Sequence, residues 1–251
     1  MNIKKYVLIS AFLSAMGCSS VESKEESHSS ISQPVHAWST YKWNKPSGSE
    51  LQVQLNENLS GNWEPYLAVA SSDWNVSSVL ETTVVQGTKS PKRCQPTLGK
   101  VEVCNASYGK NGWLGIAQIW LSGGYIVQGT VKLNDSYFNT TTYGTPPYRH
   151  LVMCQEVGHT FGLGHQDENQ TNPNLGSCMD YSNHPAGNEH PNAHDYAQLE
   201  TIYATAVVSP VVSGDTANEW GELRSKGNHS EEYIRRLGND EYLVTHVFTA
   251  E

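Results

Sequence analysis

The stretch Gln155-Glu156-Val157-Gly158-His159-Thr160-Phe161-Gly162-Leu163-Gly164-His165 decides how the rest of the chain is read. Positions 155 and 159 are four apart, so on a helix both side chains leave the same face. Glu156 is turned about 100° from position 155 and reaches the same space from the side. Upstream, Leu151, Cys154, Val157 and Phe161 recur every three or four residues and give this helix a buried face. Pro146-Pro147 suits a first helical turn, and Gly162 and Gly164 end the helix. Gly162 also permits the sharp bend that returns His165 toward the point served by 155 and 159.

Gln155, His159 and His165 are thus three candidate ligands for one metal ion, with a carboxylate beside it. Zinc with three protein ligands keeps a fourth position for water, which it acidifies. Glu156 is placed to act as general base and then as proton donor to a leaving amine. A lone histidine is ordinarily a surface or satisfied core residue. The joint pattern E-x-x-H-x-x-G-x-x-H arises by chance in such a chain only about a few times in a thousand.

The stretch resembles the H-E-x-x-H-x-x-G-x-x-H motif of metzincin-clan zinc metallopeptidases (matrixin- and astacin-like catalytic domains), with Gln155 where the first histidine stands. Ser177-Cys178-Met179-Asp180-Tyr181, whose methionine lies fourteen residues after His165, resembles the clan's Met-turn. The resemblance implies an α+β, zincin-like two-subdomain fold: a twisted mixed sheet, an active-site helix and a C-terminal helix. It makes Met179 an apolar floor beneath the metal. It places Tyr181 where some branches ligate zinc or stabilise an oxyanion, a role worth roughly 3 kcal/mol for comparable donors. It also makes Gly115, Ile116 and Ala117 part of an edge strand that binds substrate as an added antiparallel strand. The resemblance covers residues 36–206 in architecture, and its sharp motifs lie within 155–181.

Gln155 sets the functional alternatives. Its amide oxygen is a poor match for zinc on softness grounds, although its reach equals that of a histidine's distal nitrogen and the site charge is unchanged. One reading is a secreted or lipid-anchored endopeptidase with one catalytic Zn²⁺ on Gln155, His159 and His165. The other is a non-catalytic surface protein using the same fold to bind peptides or partners. Among histidines that could replace the missing ligand, His150 falls on another helix face. His184, His190 and His194 follow the Met-turn, where loop or capping roles are the ordinary expectation. The loop Gln166 to Asn174 is acidic and amide-rich enough for Ca²⁺, but a solvated loop is the better reading of it.

Working outward, residues 1–17 read as a signal peptide of lipoprotein type, with Lys4 and Lys5 before an apolar run that ends at Ala15-Met16-Gly17-Cys18. Cys18 is then the lipidated residue, and 18–35 a flexible tether. Residues 36–206 form the peptidase-like domain and 207–251 a C-terminal extension packing on it. Removing residues 1–17, with two lysines and no acid, moves the formal charge from −9 to −11. Such a surface argues against nucleic acid and against anionic lipid, so any membrane attachment rests on the lipid anchor. The partner implied is a peptide or protein substrate, and nothing in the chain specifies an oligomeric state.

Four cysteines remain after Cys18. In an exported chain an even number favours disulfides, and the pairings nearest in sequence are Cys94–Cys104 and Cys154–Cys178. Alternation and apolar runs predict strands at 51–55, 79–85, 113–121, 125–133 and 242–249, the third and fourth joined by Ser122-Gly123-Gly124. Helical spacing predicts helices at 63–72 and 195–206.

Overall fold

The computed structural model describes residues 36–210, 212 and 219–250. The expected signal segment, Cys18 and the tether lie outside the described residues. In chain order the elements are β1 (Lys42–Trp43), β2 (Leu51–Asn58), α1 (Glu64–Trp74), β3 (Leu80–Gln86), β4 (Lys100–Ala106), β5 (Trp113–Ser122) and β6 (Tyr125–Asn134). There follow α2 (Asp135–Phe138), α3 (Pro146–His159), α4 (Ala193–Ala204), β7 (Glu222–Lys226), β8 (Ser230–Gly238) and β9 (Glu241–Thr249). The result is an α+β fold built on a mixed sheet of order β3-β2-β4-β6-β5-β9-β8-β7, with β1 pairing on β6.

The sheet has a parallel half and an antiparallel half. β2 pairs in parallel with β3 and β4, and β4 with β6. β5 returns antiparallel to β6 through Gly123 and Gly124, at φ 58° and 78°. Two successive positive φ values define the tight turn whose twist matches a hairpin, and glycine adopts them without steric cost. β9 then pairs antiparallel to β5 along its whole length, from Trp113 opposite Thr249 to Ser122 opposite Glu241. β8 and β7 extend that half outward.

Two expectations change here. The strand bearing Gly115, Ile116 and Ala117 is not an edge, because β9 occupies its outer side. The near-continuous apolar run of β5 is explained by this: the strand is covered on both faces and flanked on both sides, so alternation is lost. The segment 207–251 is also more than an appendage, since it supplies three strands of the sheet. β4, β7 and β8 lacked a strong local pattern and are stabilised by pairing with neighbours remote in sequence.

The core lies between the sheet and α1 and α3. α3 crosses α1 closely at Gly158, where an added Cβ would sit 2.6 Å from Trp74 Cζ2 and 2.8 Å from Met179 Sδ. The Trp74 indole donates to Cys154 O at 3.2 Å. Disulfides join Cys94 to Cys104 and Cys154 to Cys178, the second binding α3 to the loop before α4. Two disulfides fit an oxidising compartment. No helix of the described residues is long and apolar enough to cross a membrane.

Candidate metal centre

α3 ends at His159, and the chain turns at once through Gly162, whose φ is 97°. A Cβ there would lie 2.1 Å from Tyr41 O, so the turn and its contact with the N-terminal segment both require glycine. The turn brings His165 back beside His159. The His159 Nδ1 lies 2.8 Å from Leu163 O, and the His165 Nδ1 lies 2.9 Å from Glu168 Oε1. Both partners are acceptors, which assigns the proton to Nδ1 in each ring and leaves each Nε2 with a free lone pair. Those two Nε2 atoms are 3.0 Å apart. With the protons so assigned, both Nε2 atoms present lone pairs to each other, a contact that a cation between or beside them relieves. The Glu168 carboxyl, held below its ordinary range chiefly by the His165 hydrogen bond, supplies the carboxylate backing typical of metal-bound imidazole.

The third imidazole comes from the far end of the chain. His246 on β9 stands opposite Ala117 in the sheet and is 3% exposed. Its ring centroid is 4.0 Å from that of His159 and 4.7 Å from that of His165. One ligand nitrogen from each of the three lies within 4.8 Å of the others. Burial holds His159 and His246 well below the ordinary imidazole range, so both are neutral near pH 7 and able to ligate. Zinc at 2.0–2.1 Å from each nitrogen needs them about 3.4 Å apart in tetrahedral geometry, so the set fits with small side-chain adjustments.

Around this trio the other anticipated residues take definite places. Gln155 is fully buried and donates through Nε2 to Cys178 O at 2.9 Å, clasping the turn that carries Met179. Its Oε1 has no hydrogen-bond partner. Glu156 is also fully buried, with Oε2 3.4 Å from His246 Nδ1 and Oε1 unpartnered. Burial raises its carboxyl well above the ordinary range. Gly115 makes the room for it: a Cβ there would meet Glu156 Oε1 at 2.5 Å. The Tyr181 hydroxyl lies 3.3 Å from His246 Nε2, and burial keeps the phenol neutral. Met179 is buried beneath α3 at Gly158, its amide held by Ser177 Oγ at 2.9 Å.

None of the other histidines weighed as substitutes joins the trio. His150 packs on Tyr66, His184 is exposed, His190 pairs with Asp73 at 2.7 Å, and His194 stacks on His36. In the 166–174 loop the Asp167 carboxylate accepts from Asn169 N and Asn172 Nδ2, ordinary turn bonding. His246 carried no local signal: it sits in a largely apolar strand 81 residues beyond His165, where a core histidine is the normal reading. A cavity of about 160 Å³ opens on the trio from the side of His36, Trp38, Glu168, Ser230 and Glu232.

No protein-family model and no curated protein matches this sequence. Among solved structures, the chain is similar to high choriolytic enzyme 1, a hatching-enzyme zinc-protease from the medaka fish Oryzias latipes, at 16% identity and a TM-score of 0.27. That likeness covers 49% of this chain and 50% of the other, so the chain spans about half the length of that structure.

Proposed function

We propose that this chain is a zinc-dependent peptidase of metzincin type in which His246 replaces the missing first histidine, held closed in this conformation by its own C-terminal strand. The observation that carries the reading is the pair of lone-pair-bearing Nε2 atoms of His159 and His165 at 3.0 Å, with a third buried imidazole beside them. His159, His165 and His246 would hold the ion, which when bound supplies Lewis acidity and an acidified water. Gln155 is then a positioning residue that fastens α3 to the turn of Met179.

Glu156 suits proton transfer by its environment. A carboxyl raised by burial is poised to take a proton and return it, and its unpartnered Oε1 is the atom free to do so. Tyr181, neutral and buried, is a hydroxyl donor for developing negative charge. A peptide substrate pairing with β5 would need the place that β9 takes, so access requires the β8–β9 hairpin to move. The same pairing favours a second reading, a non-catalytic protein whose metal has a structural role.

Metal analysis of the purified full chain, with cleavage assays on unstructured fluorogenic peptides, separates these. Bound zinc with activity that disappears in Glu156→Gln supports the peptidase. Bound zinc without activity under any condition supports the structural reading. Protein that takes up no zinc at the trio refutes both.

A further inference from the structure

A second cluster of ligand-type side chains lies outside the trio. His36, His194 and Asp195 each offer one donor atom, and these atoms lie within 4.8 Å of one another. Each of the three residues also has a buried donor-type atom without a hydrogen-bond partner: His36 Nε2, His194 Nδ1 and Asp195 Oδ1. The His36 and Asp195 side chains are themselves almost wholly enclosed, at 3% and 0% exposure. We infer that these residues form a second divalent-metal site, distinct from the trio, with a two-imidazole, one-carboxylate donor set.

His36 and Asp195 are each oriented by hydrogen bonds on their other side. His36 Nδ1 lies 3.2 Å from Gly164 O, which places its proton there and turns the Nε2 lone pair inward. Asp195 Oδ2 accepts from Ser177 Oγ at 2.6 Å and from Asn192 N at 2.7 Å, leaving Oδ1 as its free atom, 3.6 Å from His36 Nε2. The Asn192–Asp195 capping box fixes the first turn of α4, and with it His194, whose ring stacks on His36 at 4.6 Å. Three buried orphan atoms in one place cost desolvation free energy unless something satisfies them together. A bare His36–Asp195 ion pair would leave His194 Nδ1 unsatisfied. A first-row divalent cation satisfies all three, and imidazole with carboxylate suits zinc among others.

The site also has a structural consequence. His36 belongs to the segment paired with the 162–164 turn, with Gly164 N donating to His36 O at 2.8 Å and Trp38 N to Gly162 O at 2.7 Å. A metal here would tie the start of the domain to α4, across the turn that carries His165.

Zinc titration of the metal-stripped full chain against a chromophoric chelator tests this, alongside His194→Ala, His159→Ala and the double variant. His194 is the chosen position because its side chain makes no hydrogen bond, while its capping role is carried by its backbone amide. The expected result is two equivalents in the parent, one in each single variant and none in the double. Zinc should still raise the melting temperature of His159→Ala. If the trio does not bind, the parent takes one equivalent, His194→Ala takes none and His159→Ala is unchanged, which overturns the proposed function and leaves this site standing. If His194→Ala keeps the parent stoichiometry and the parent zinc-induced melting shift, the second site is refuted.

Discussion

Replacing His246 with asparagine is the sharpest perturbation of the trio, because it removes an imidazole that no local motif would have marked. Structural zinc sites with four protein ligands bind with about 10–16 kcal/mol, or about 3 kcal/mol per ligand. Loss of one imidazole should therefore weaken zinc by about 3 kcal/mol, roughly 150-fold. The loss is not offset locally, since the Glu156 carboxylate and the Tyr181 hydroxyl both face the His246 ring and neither lies on the open side of the cavity. Gln155→Leu should cost under about tenfold, because a neutral amide oxygen is a weak zinc donor and the Gln155 amide is already engaged with Cys178 O at 2.9 Å. Affinities are read by chelator competition at neutral pH, with melting of the metal-free variants confirming that both fold. Unchanged affinity in His246→Asn, or an equal loss in Gln155→Leu, would show that His159, His165 and His246 are not the ligand set.

Three further outcomes follow from particular contacts. Glu156 has its carboxyl raised by burial, so its stabilising protonated form is present at low pH and is lost as pH rises from the ordinary carboxylate value through the folded one. Glu156→Gln should therefore gain stability over the parent as pH rises from the ordinary carboxylate value toward the raised folded one, by up to about 1.4 kcal/mol per pH unit, in chelator-treated denaturant titrations. A pH-independent difference would contradict the burial argument. Gly115→Ala places a methyl 2.5 Å from Glu156 Oε1 and 2.8 Å from Val152 Cγ1, and should destabilise the fold by about 1–3 kcal/mol. A neutral result in thermal unfolding would mean that β5 and α3 are less closely apposed. Cys154→Ala with Cys178→Ala opens a link of sequence separation 24 and should cost about 3.5 kcal/mol on the chain-entropy estimate, read from denaturant midpoints. No shift in the midpoint would show that this link contributes little.

Local physics made much of this protein legible in its sequence. The three- and four-residue recurrence through Phe161, the paired prolines and Gly162 specified α3 and its bend, because helix periodicity and positive-φ glycine are properties of neighbouring residues. The β5–β6 hairpin was equally readable from Gly123-Gly124 between two apolar runs. The other neighbour of β5 was not. Strand order depends on which remote segment best covers an open edge, and no spacing within 113–122 encodes that β9 will pair there. That choice of partner puts His246 opposite Ala117 and beside Glu156, and it turns an assumed substrate groove into an internal strand pair. The same holds for His36 and Asp195, brought together across 159 positions by α4 docking on the N-terminal segment. Local pattern was thus enough to read α3, the pair His159 and His165, and the carboxylate of Glu156. The third imidazole beside them and the pairing of β9 on β5 emerge only in the folded chain, because both depend on long-range strand pairing and not on any local pattern.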